Sequence, residues 1–503
     1  MNTSPLLSDE AQALLDLFED RAFAPSVEGL EALRDPLCAV LQRGGALEGG
    51  GVRVGVAAVS FLRRLCADYR AEAAGCPLPL DEALFARQAA LGSLLIAVSG
   101  GLLQFVESGA GGSASERDAA AAHAFEAVLE VFRVAGLAAS DVPEGSWRLA
   151  HRLARSTGIG TAAGQRLAPW YLRLLTLAAS QPDALTGREL VWLFDFLDER
   201  LLSVADLTRS SPAATAAQWW VDLAGDAPPV AVARRPVPAE REGSSEIWSF
   251  NPRPMAQRLG ECIDWVTANL TAAELAGAQD ELAPEALQGA GLPPGLKVLE
   301  ALALLKRLRG LWMAVPVREQ PRRARHYAVQ VCVGLHAMWL LGKDAARPLA
   351  GIQKWEVINE SPGGLAIMSV AGVRGEIESG STLALRRDAE QPWSICIVRW
   401  ARSEHPGQLE LGLQIVGIGF QPVEVGFRGR AAKKLEPALA LPAMEPVRRH
   451  PAMLAPAGTY ASRRFVFVRE GASLYIAQAR ALGLDMQTSR VELFQYELDP
   501  YPI

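Results

Sequence analysis

A cluster of arginine residues lies between a helix-like segment and a strand-like segment in the C-terminal half of this chain. Its members are Arg318, Arg322, Arg323 and Arg325, and an alternating apolar run begins just after them at Tyr327. From residue 306 to residue 325 there are seven basic residues and one acidic residue, whereas the formal net charge of the whole chain is −6. A guanidinium group can donate two parallel hydrogen bonds to phosphate or to the O6 and N7 edge of guanine, and it can stack on a base. The cluster therefore favours recognition of a small anion such as a nucleotide.

A second polar motif, NESPGG, follows another strand-like run and occupies residues 359–364. Asn359 and Ser361 are two residues apart, so in an extended segment their side chains project to the same side. An asparagine amide presents a donor and an acceptor together, which suits the edge of a base, and serine adds an adaptable hydroxyl. Gly363 and Gly364 allow a tight turn or a close approach of a ligand to the backbone. Together the two motifs predict one site for a small anionic ligand.

In this order the two motifs resemble those of the PilZ domain, a bacterial β-barrel that binds cyclic di-GMP. Arg318 and Arg322 match the family pattern RxxxR, and Asn359, Ser361 and Gly364 match the pattern [D/N]xSxxG. The runs GLAIMSV, GSTLALR, SICIVRWARSE and LELGLQIVG are similar to the later strands of the family, so the resemblance covers roughly residues 317–425. It implies that the arginines clamp the phosphates and guanine faces of the ligand, while Asn359 and Ser361 read a guanine edge.

The position of the second arginine in the first motif is open. Spacing assigns it to Arg322, whereas the family places this arginine directly against the first strand, which favours Arg323 or Arg325. The segment between the first two predicted strands, residues 340–353, is also longer than is usual in the family. The predicted ligand-binding residues are Arg318, Arg322, Arg323, Arg325, Asn359, Ser361 and Gly364, with Arg322 ranked first.

Residues 1–225 are predicted to form an all-α helical domain of six to nine helices. In the segment Val54–Ala71, apolar residues recur at three- and four-residue spacing, as on the buried face of an amphipathic helix. Residues 226–253 have too many prolines for a helix and too few large apolar residues for a core, so they are predicted to form a linker. Residues 254–314 are predicted to form connecting helices, the last of which, Leu296–Leu311, leads into the arginine cluster.

Beyond residue 316 the apolar period changes from about four to two, which is typical of half-buried strands. Residues 315–425 are predicted to form a small antiparallel PilZ-like β-barrel. Its later strands are predicted at Lys354–Ile358, Leu365–Val370, Thr382–Arg386, Trp393–Ala401 and Leu409–Val416. Residues 426–503 are predicted to form a further β-rich unit, for which a second, degenerate barrel is one alternative. The expected fold class is a multidomain α + β protein.

Several classes of function find no support in the sequence. The acidic total argues against DNA binding, which requires an excess of basic residues. The six cysteines include no CxxC pair and the six histidines include no HxxxH motif, so no metal site is predicted. There is no GxSxG elbow and no visible catalytic triad, so the chain is not predicted to be an enzyme.

The sequence also indicates where the protein works. Its N-terminus lacks the basic start and unbroken apolar core of a signal peptide. The longest apolar run, residues 89–106, contains six serine, glycine or glutamine residues and is short for a membrane span. This run is predicted to be a buried helix, and the protein is predicted to be cytoplasmic, without a membrane span.

These observations lead to one function hypothesis and two alternatives. The hypothesis is a cyclic di-GMP receptor that needs no cofactor and passes the level of this second messenger to an unidentified protein partner through its helical domain. The first alternative is an interaction scaffold with a degenerate, non-binding barrel. The second is binding of RNA or single-stranded nucleic acid through the basic segment. The downstream process, the oligomeric state and the ligand stoichiometry are open at this point.

Overall fold

The computed structural model describes residues 8–43, 50–108, 113–162, 164–209, 218–269, 291–317, 321–343, 351–370, 372–373, 376–427, 435–460, 462–471 and 473–499. Within these residues, nine helices precede the first strand. They are α1 (Asp9–Glu19), α2 (Val27–Arg43), α3 (Gly50–Ala73), α4 (Glu82–Ser108), α5 (Ala114–Leu137), α6 (Ser146–Ser156), α7 (Ala168–Ala179), α8 (Gly187–Phe196) and α9 (Glu199–Leu202). Helix α5 begins at a capping box of Ser113 and Glu116, which pairs backbone N–H groups that the first turn leaves open.

Helix α4 contains the apolar run predicted at residues 89–106. It packs against α2, α3, α5 and α6, and its buried side chains include Leu91, Leu95 and Val98. A buried hydroxyl in this helix is satisfied, because Ser99 Oγ donates a hydrogen bond to the carbonyl of Ala124 at 3.0 Å. By length and composition α4 is the one described helix that could cross a membrane, but half of its apolar window is buried inside the protein.

A four-stranded sheet follows the helices, and it corrects two predictions. Its strands are β1 (Asp206–Thr208), β2 (Trp219–Asp222), β3 (Val230–Ala231) and β4 (Ile247–Asn251), in the order β1-β4-β2-β3. The predicted linker, residues 226–253, therefore contains two strands, and the part predicted to be all-α, residues 1–225, contains two more. The prolines of this region fall in the connections, whereas Trp219, Trp248 and Phe250 are buried. Proline is compatible with such connections and not with strand interiors, so many prolines and few large apolar residues together predicted too little structure.

Two further helices, α10 (Arg253–Asn269) and α11 (Val298–Met313), pack against each other and complete the helical domain. They belong to the same hydrophobic core as α1–α9. Trp312, near the end of α11, is fully buried, and its Nε1 donates a hydrogen bond to Ser180 Oγ at 3.2 Å. The chain segment that leaves α11 toward the arginine cluster is therefore fixed at its start.

Six antiparallel strands then close into the first barrel. They are β5 (Arg323–Val333), β6 (Ile352–Ser361), β7 (Gly364–Ser369), β8 (Thr382–Arg386), β9 (Ser394–Arg402) and β10 (Glu410–Ile418). The order around the barrel is β10-β7-β6-β5-β8-β9. Its interior is filled mainly by aliphatic side chains and by Trp355, all of them buried. The predicted α + β fold class, with a helical domain before a small antiparallel barrel, is confirmed.

A second closed barrel follows, so the alternative expected for the C-terminal unit is the observed structure. Its strands are β11 (Gln421–Phe427), β12 (Glu436–Leu441), β13 (Ala452–Pro456), β14 (Arg464–Arg469), β15 (Tyr475–Gln487) and β16 (Val491–Leu498). The order is β11-β12-β13-β16-β15-β14. Counted from the first strand of each barrel, this is the strand order of the first barrel. The chain therefore contains two barrels of one topology.

The two barrels share a hydrophobic core, and helix α12 (Leu335–Lys343) lies between them. Ile395, Ile397 and Val416 of the first barrel belong to one cluster with Leu439, Leu454 and Leu493 of the second. Trp339 of α12 belongs to the same cluster, and its Nε1 donates a hydrogen bond to the carbonyl of Val423 at 2.8 Å. Strands β8 and β9 are consequently buried on both faces, which explains their continuous apolar sequence.

The first barrel contacts the helical domain at one of its two ends. At this end β8 and β10 begin and β9 ends. Arg402 donates from Nε and Nη2 to Asp183 Oδ2 at 2.8 and 2.7 Å, and Ser379 Oγ donates to the carbonyl of Ala184 at 2.6 Å. The backbone N–H of Ser403 donates to the carbonyl of Ala139 at 2.8 Å. The opposite end of the barrel, where β5, β7 and β9 begin, is its mouth.

Candidate ligand-binding site

A cleft of about 830 Å³ opens at the mouth of the first barrel. Its floor is made by apolar side chains of four different strands, Val329, Leu365, Leu385 and Ile415. Three of these belong to the buried core, so the cleft begins where the core of the barrel ends. Clefts of this size with an apolar floor and a few polar groups are typical of sites for small molecules.

The charged side chains around the cleft are mostly basic. Three guanidinium groups and one imidazole line it, contributed by Arg325, His326, Arg386 and Arg387. Among the described lining residues there is one carboxylate, that of Glu360. The remaining lining residues are Ala324, Tyr327, Ser361, Gln391, Pro392 and Ser394. A local excess of positive charge in an acidic chain favours an anionic ligand at this cleft.

Arg386, the last residue of β8, is held by three contacts. Its Nε donates to Gln330 Oε1 at 2.9 Å, and its Nη1 donates to the carbonyl of Ala389 at 2.9 Å. Its guanidinium carbon lies 4.3 Å from the centroid of the Trp393 ring. A guanidinium group fixed in this way loses little conformational entropy when it binds a ligand.

Glu360, near the end of β6, connects two residues of β5. Its Oε1 accepts a hydrogen bond from Arg325 Nε at 3.2 Å, and its Oε2 accepts one from the Tyr327 hydroxyl at 2.8 Å. Burial and the hydrogen bond to Glu360 raise the pKa of Tyr327 to about 12, so this phenol is a donor at neutral pH. The guanidinium carbon of Arg387 lies 5.0 Å from the centroid of the Tyr327 ring. The side chains of Arg325, Tyr327, Glu360 and Arg387 thus form a connected network along one wall of the cleft.

The structure places the predicted arginines at different positions. Arg325 lines the cleft, whereas Arg323 begins β5 and lies opposite Glu360 in the strand register. Arg322 precedes the strand and is half-buried. Burial raises the pKa of Glu410, and the nearby charges of Arg402 and Arg322 oppose that shift. Arg318 lies outside the described residues.

The residues of the second motif form the β6–β7 hairpin, inside the strands rather than after them. Ser361 lines the cleft, and its Oγ donates to the carbonyl of Gly364 at 3.2 Å. Asn359 is not a lining residue; its Oδ1 is buried and has no hydrogen-bond partner among the described residues. The β6–β7 register shifts between Val357 and Asn359, so the simple alternation expected from spacing does not hold there.

Gly364 has a packing role in this hairpin. It pairs with Gln414 of β10, and a Cβ at this position would collide with the carbonyl oxygen of Leu413. The absence of a side chain lets β7 and β10 approach at the mouth. The glycine of the motif therefore shapes the cleft without lining it.

The sequence motifs miss most of the lining of the cleft, including Tyr327, Glu360, Arg386 and Arg387. The doublet Arg386–Arg387 ends the run GSTLALRR and precedes a polar turn, so a basic pair at a strand end was visible in the sequence. The direction in which this pair points was not visible, because it depends on the pairing of β8 with β5, which brings the end of β8 beside Tyr327 and Arg325. The acid at position 360 lies between two motif residues and was treated as a spacer.

Two descriptions of one protein family match this chain. Residues 1–211 match "Cyclic-di-GMP receptor FimW, N-terminal domain", and residues 342–422 match "Cyclic-di-GMP receptor FimW, middle PilZ domain". The second match covers strands β6–β10 with the hairpin 359–364 and the doublet Arg386–Arg387, and it begins after β5. Together the two matches cover more than half of the chain.

A curated relative is the cyclic-di-GMP receptor FimW of Pseudomonas aeruginosa, which is 26% identical over 102 residues. This alignment spans 20% of the present chain and 17% of the relative. No solved structure matches the chain. The middle-domain match overlaps the barrel at residues 323–418 and includes its second polar motif. The chain therefore contains a PilZ domain, and its N-terminal part is similar to the N-terminal domain described for FimW.

Proposed function

We propose that this protein is a cyclic di-GMP receptor whose ligand binds in the cleft at the mouth of the first barrel. The observation that carries the proposal is the set of three guanidinium groups, from Arg325, Arg386 and Arg387, around an apolar floor in an acidic chain. The cleft lies in the barrel that matches a PilZ domain. FimW, the relative with matching domains, is itself named as a receptor for this ligand.

The chemistry of the ligand fits this set of groups. Cyclic di-GMP has two phosphates and two guanine bases, and guanidinium groups bind phosphate oxygens in pairs, pair with the O6 and N7 edge of guanine and stack on its face. Arg386, already stacked on Trp393, offers a prepositioned donor. In this proposal Arg325 and Ser361 contact the ligand directly. Arg318 and Arg322 reach it from the segment before β5, and Arg323 reaches it from the start of β5. Asn359 and Gly364 hold the hairpin that frames the cleft.

We further propose that the helical domain passes the signal to a protein partner. The segment from residue 314 to residue 322 joins the buried end of α11 to β5 at the mouth, and Arg234 Nε donates to the carbonyl of Pro316 within it at 3.3 Å. The opposite end of the barrel is tied to the helical domain by the Arg402–Asp183 pair. Ligand contacts with the segment would move the mouth relative to α11. Identical X-ray scattering profiles with and without saturating cyclic di-GMP would contradict this coupling.

We also propose that this receptor has no catalytic activity, needs no cofactor and is located in the cytoplasm. This proposal is supported by the name of the relative with matching domains and by the burial of half of the apolar window of α4. The protein partner and the downstream process are not defined by it.

A thermal-shift measurement on the full chain tests the proposed ligand. Cyclic di-GMP should raise the melting temperature in a concentration-dependent manner, because a ligand that binds only the folded state stabilises it by mass action. Guanine and adenine mononucleotides serve as comparison ligands. No shift with cyclic di-GMP at any concentration would favour the scaffold alternative. Binding of RNA with a steep dependence on salt, and none of cyclic di-GMP, would favour the nucleic-acid alternative.

A further inference from the structure

The carboxylate of Glu360 is placed to contact a ligand in the cleft. It lines the cleft, its side chain is 34% exposed, and neither Asn359 nor Gly364 of the same hairpin reaches the lining. Each of its two oxygens accepts one hydrogen bond, from Arg325 and from Tyr327. Because a carboxylate oxygen has two lone pairs, each oxygen can accept one more donor.

The two partners fix the orientation of this carboxylate. Arg325 and Tyr327 are on β5, and both side chains line the cleft. Tyr327 is in turn covered by the guanidinium group of Arg387. The two oxygens are therefore held in place at the wall of the cleft.

Two adjacent acceptors match one edge of guanine. The Watson–Crick edge of guanine presents N1–H and the N2 amino group, which are two donors side by side. The same edge of adenine presents the N6 amino donor beside the N1 acceptor, so a carboxylate would leave its own oxygen facing the adenine N1 lone pair. An unpaired and repelled polar atom in a desolvated cleft is a strong basis for discrimination.

We infer that Glu360 reads the Watson–Crick edge of a guanine base and makes the cleft selective for guanine over adenine dinucleotides. This inference rests on the proposed function, and it assigns the reading of the base to Glu360, although the sequence motif pointed to Asn359. Glu360 is a specificity-determining residue in this assignment, and Arg325 and Tyr327 are its positioning residues.

The substitution Glu360→Gln tests the assignment, because it keeps the size of the side chain and replaces one acceptor by a donor. Titration calorimetry would compare cyclic di-GMP with cyclic di-AMP. The unaltered protein should prefer cyclic di-GMP, and Glu360→Gln should weaken binding of cyclic di-GMP by about 5- to 150-fold. Binding of cyclic di-AMP should be unchanged or stronger, since a glutamine amide matches the donor and acceptor pattern of adenine. The ratio of the two affinities is the decisive readout.

The matched control is Glu356→Gln on the same strand. Glu356 pairs with His326 at 3.5 Å and does not line the cleft, so this variant should keep the affinity ratio of the unaltered protein. Glu360→Asp retains a carboxylate and should keep the preference for guanine with weaker binding, which covers the case in which the glutamine variant does not fold.

The possible results separate the two claims. Equal strengthening of both ligands by Glu360→Gln would mean that the carboxylate only competes with phosphate for Arg325, and it would overturn the assignment. An unchanged affinity ratio with intact binding would overturn the assignment and leave the proposed function standing. If the unaltered protein binds neither dinucleotide, both are overturned.

Discussion

The two barrels of this protein have the same strand order but different interiors and different mouths. The first barrel is filled by aliphatic side chains and one tryptophan, and its mouth is an open cleft. The second is filled by aromatic rings with centroids 5.1–6.3 Å apart, contributed by Phe427, Tyr460, Phe465, Phe467, Phe494 and Tyr496. Two barrels of the same topology can therefore differ in role: one is packed with aromatic rings, and the other carries a cleft for a ligand.

The mouths of the barrels share one arrangement and differ in charge. In the first, Arg386 ends the fourth strand, stacks on Trp393 and donates to Gln330. In the second, Arg469 ends the fourth strand, lies 5.0 Å from the centroid of the Tyr475 ring and donates to Gln421 Oε1 at 2.9 Å.

The residue after each of these arginines is opposite in sign, Arg387 in the first barrel and Glu470 in the second. Glu470 binds Lys343 at 2.7 Å. Charge at the mouth, and not topology, therefore distinguishes the candidate site from the corresponding part of the second barrel.

The largest expected effect concerns the aromatic interior of the second barrel. Phe494→Ala removes a fully buried ring that contacts three other rings, and it should lower the free energy of unfolding by about 3–5 kcal/mol. Denaturant unfolding of the full chain measures it. The control Leu474→Ala removes a side chain that is 64% exposed and should change the stability by less than about 0.5 kcal/mol. Similar losses in both variants would contradict the role of the ring cluster.

The next effect concerns binding. Arg387→Ala should weaken cyclic di-GMP binding by about 1.5–3 kcal/mol, roughly 10- to 150-fold, because a charge-assisted contact is lost. Arg469→Ala, which also removes an arginine but from the mouth of the second barrel, should leave the affinity unaltered. Calorimetric titration measures both. Equal losses of affinity in both variants, or no loss in either, would contradict the assignment of the site to the mouth of the first barrel.

A third prediction separates two strand glycines. Gly364→Ala places a Cβ against the carbonyl of Leu413 and should lower the free energy of unfolding by about 1–3 kcal/mol. At Gly483 of β15 a Cβ would meet nothing within 4 Å, so Gly483→Ala should stay within about 0.5 kcal/mol of the unaltered protein. Thermal unfolding distinguishes the two, and equal stability would show that the close approach of β7 and β10 is not needed.

The smallest expected effect is at a surface ion pair of the second barrel. Arg480 and Glu497 pair across β15 and β16 with exposed fractions of 56% and 40%. Arg480→Ala should therefore cost only about 0.2–1 kcal/mol, and the loss should shrink at high salt. Cyclic di-GMP affinity should not change. A larger loss that is insensitive to salt would mean that this pair is coupled to the core.

The sequence predicted the first barrel because period-two alternation and turn residues are local signals. The second barrel appeared only as an alternative, since its long strand β15 contains register shifts after Ala481 and Leu484 that break the alternation. The sheet around Trp219 and Trp248 was missed because prolines in the connections outweighed a few large buried side chains.

The candidate site was predicted in part. Arg325 and Ser361 line the cleft, as the motifs suggested. The direction of Asn359 depends on a register shift in β6, and the place of Arg387 beside Tyr327 depends on the closure of β8 on β5. Neither is a local property of the sequence, so spacing alone could not supply them.

Hydrogen–deuterium exchange with and without saturating cyclic di-GMP tests the central claim most directly, because it locates the ligand on one barrel. Exchange should become slower at the mouth of the first barrel, in residues 323–327, 359–365 and 386–394. Exchange should be unchanged at the matching positions of the second barrel, residues 469–475. Protection confined to the second barrel, or no protection in either, would contradict it.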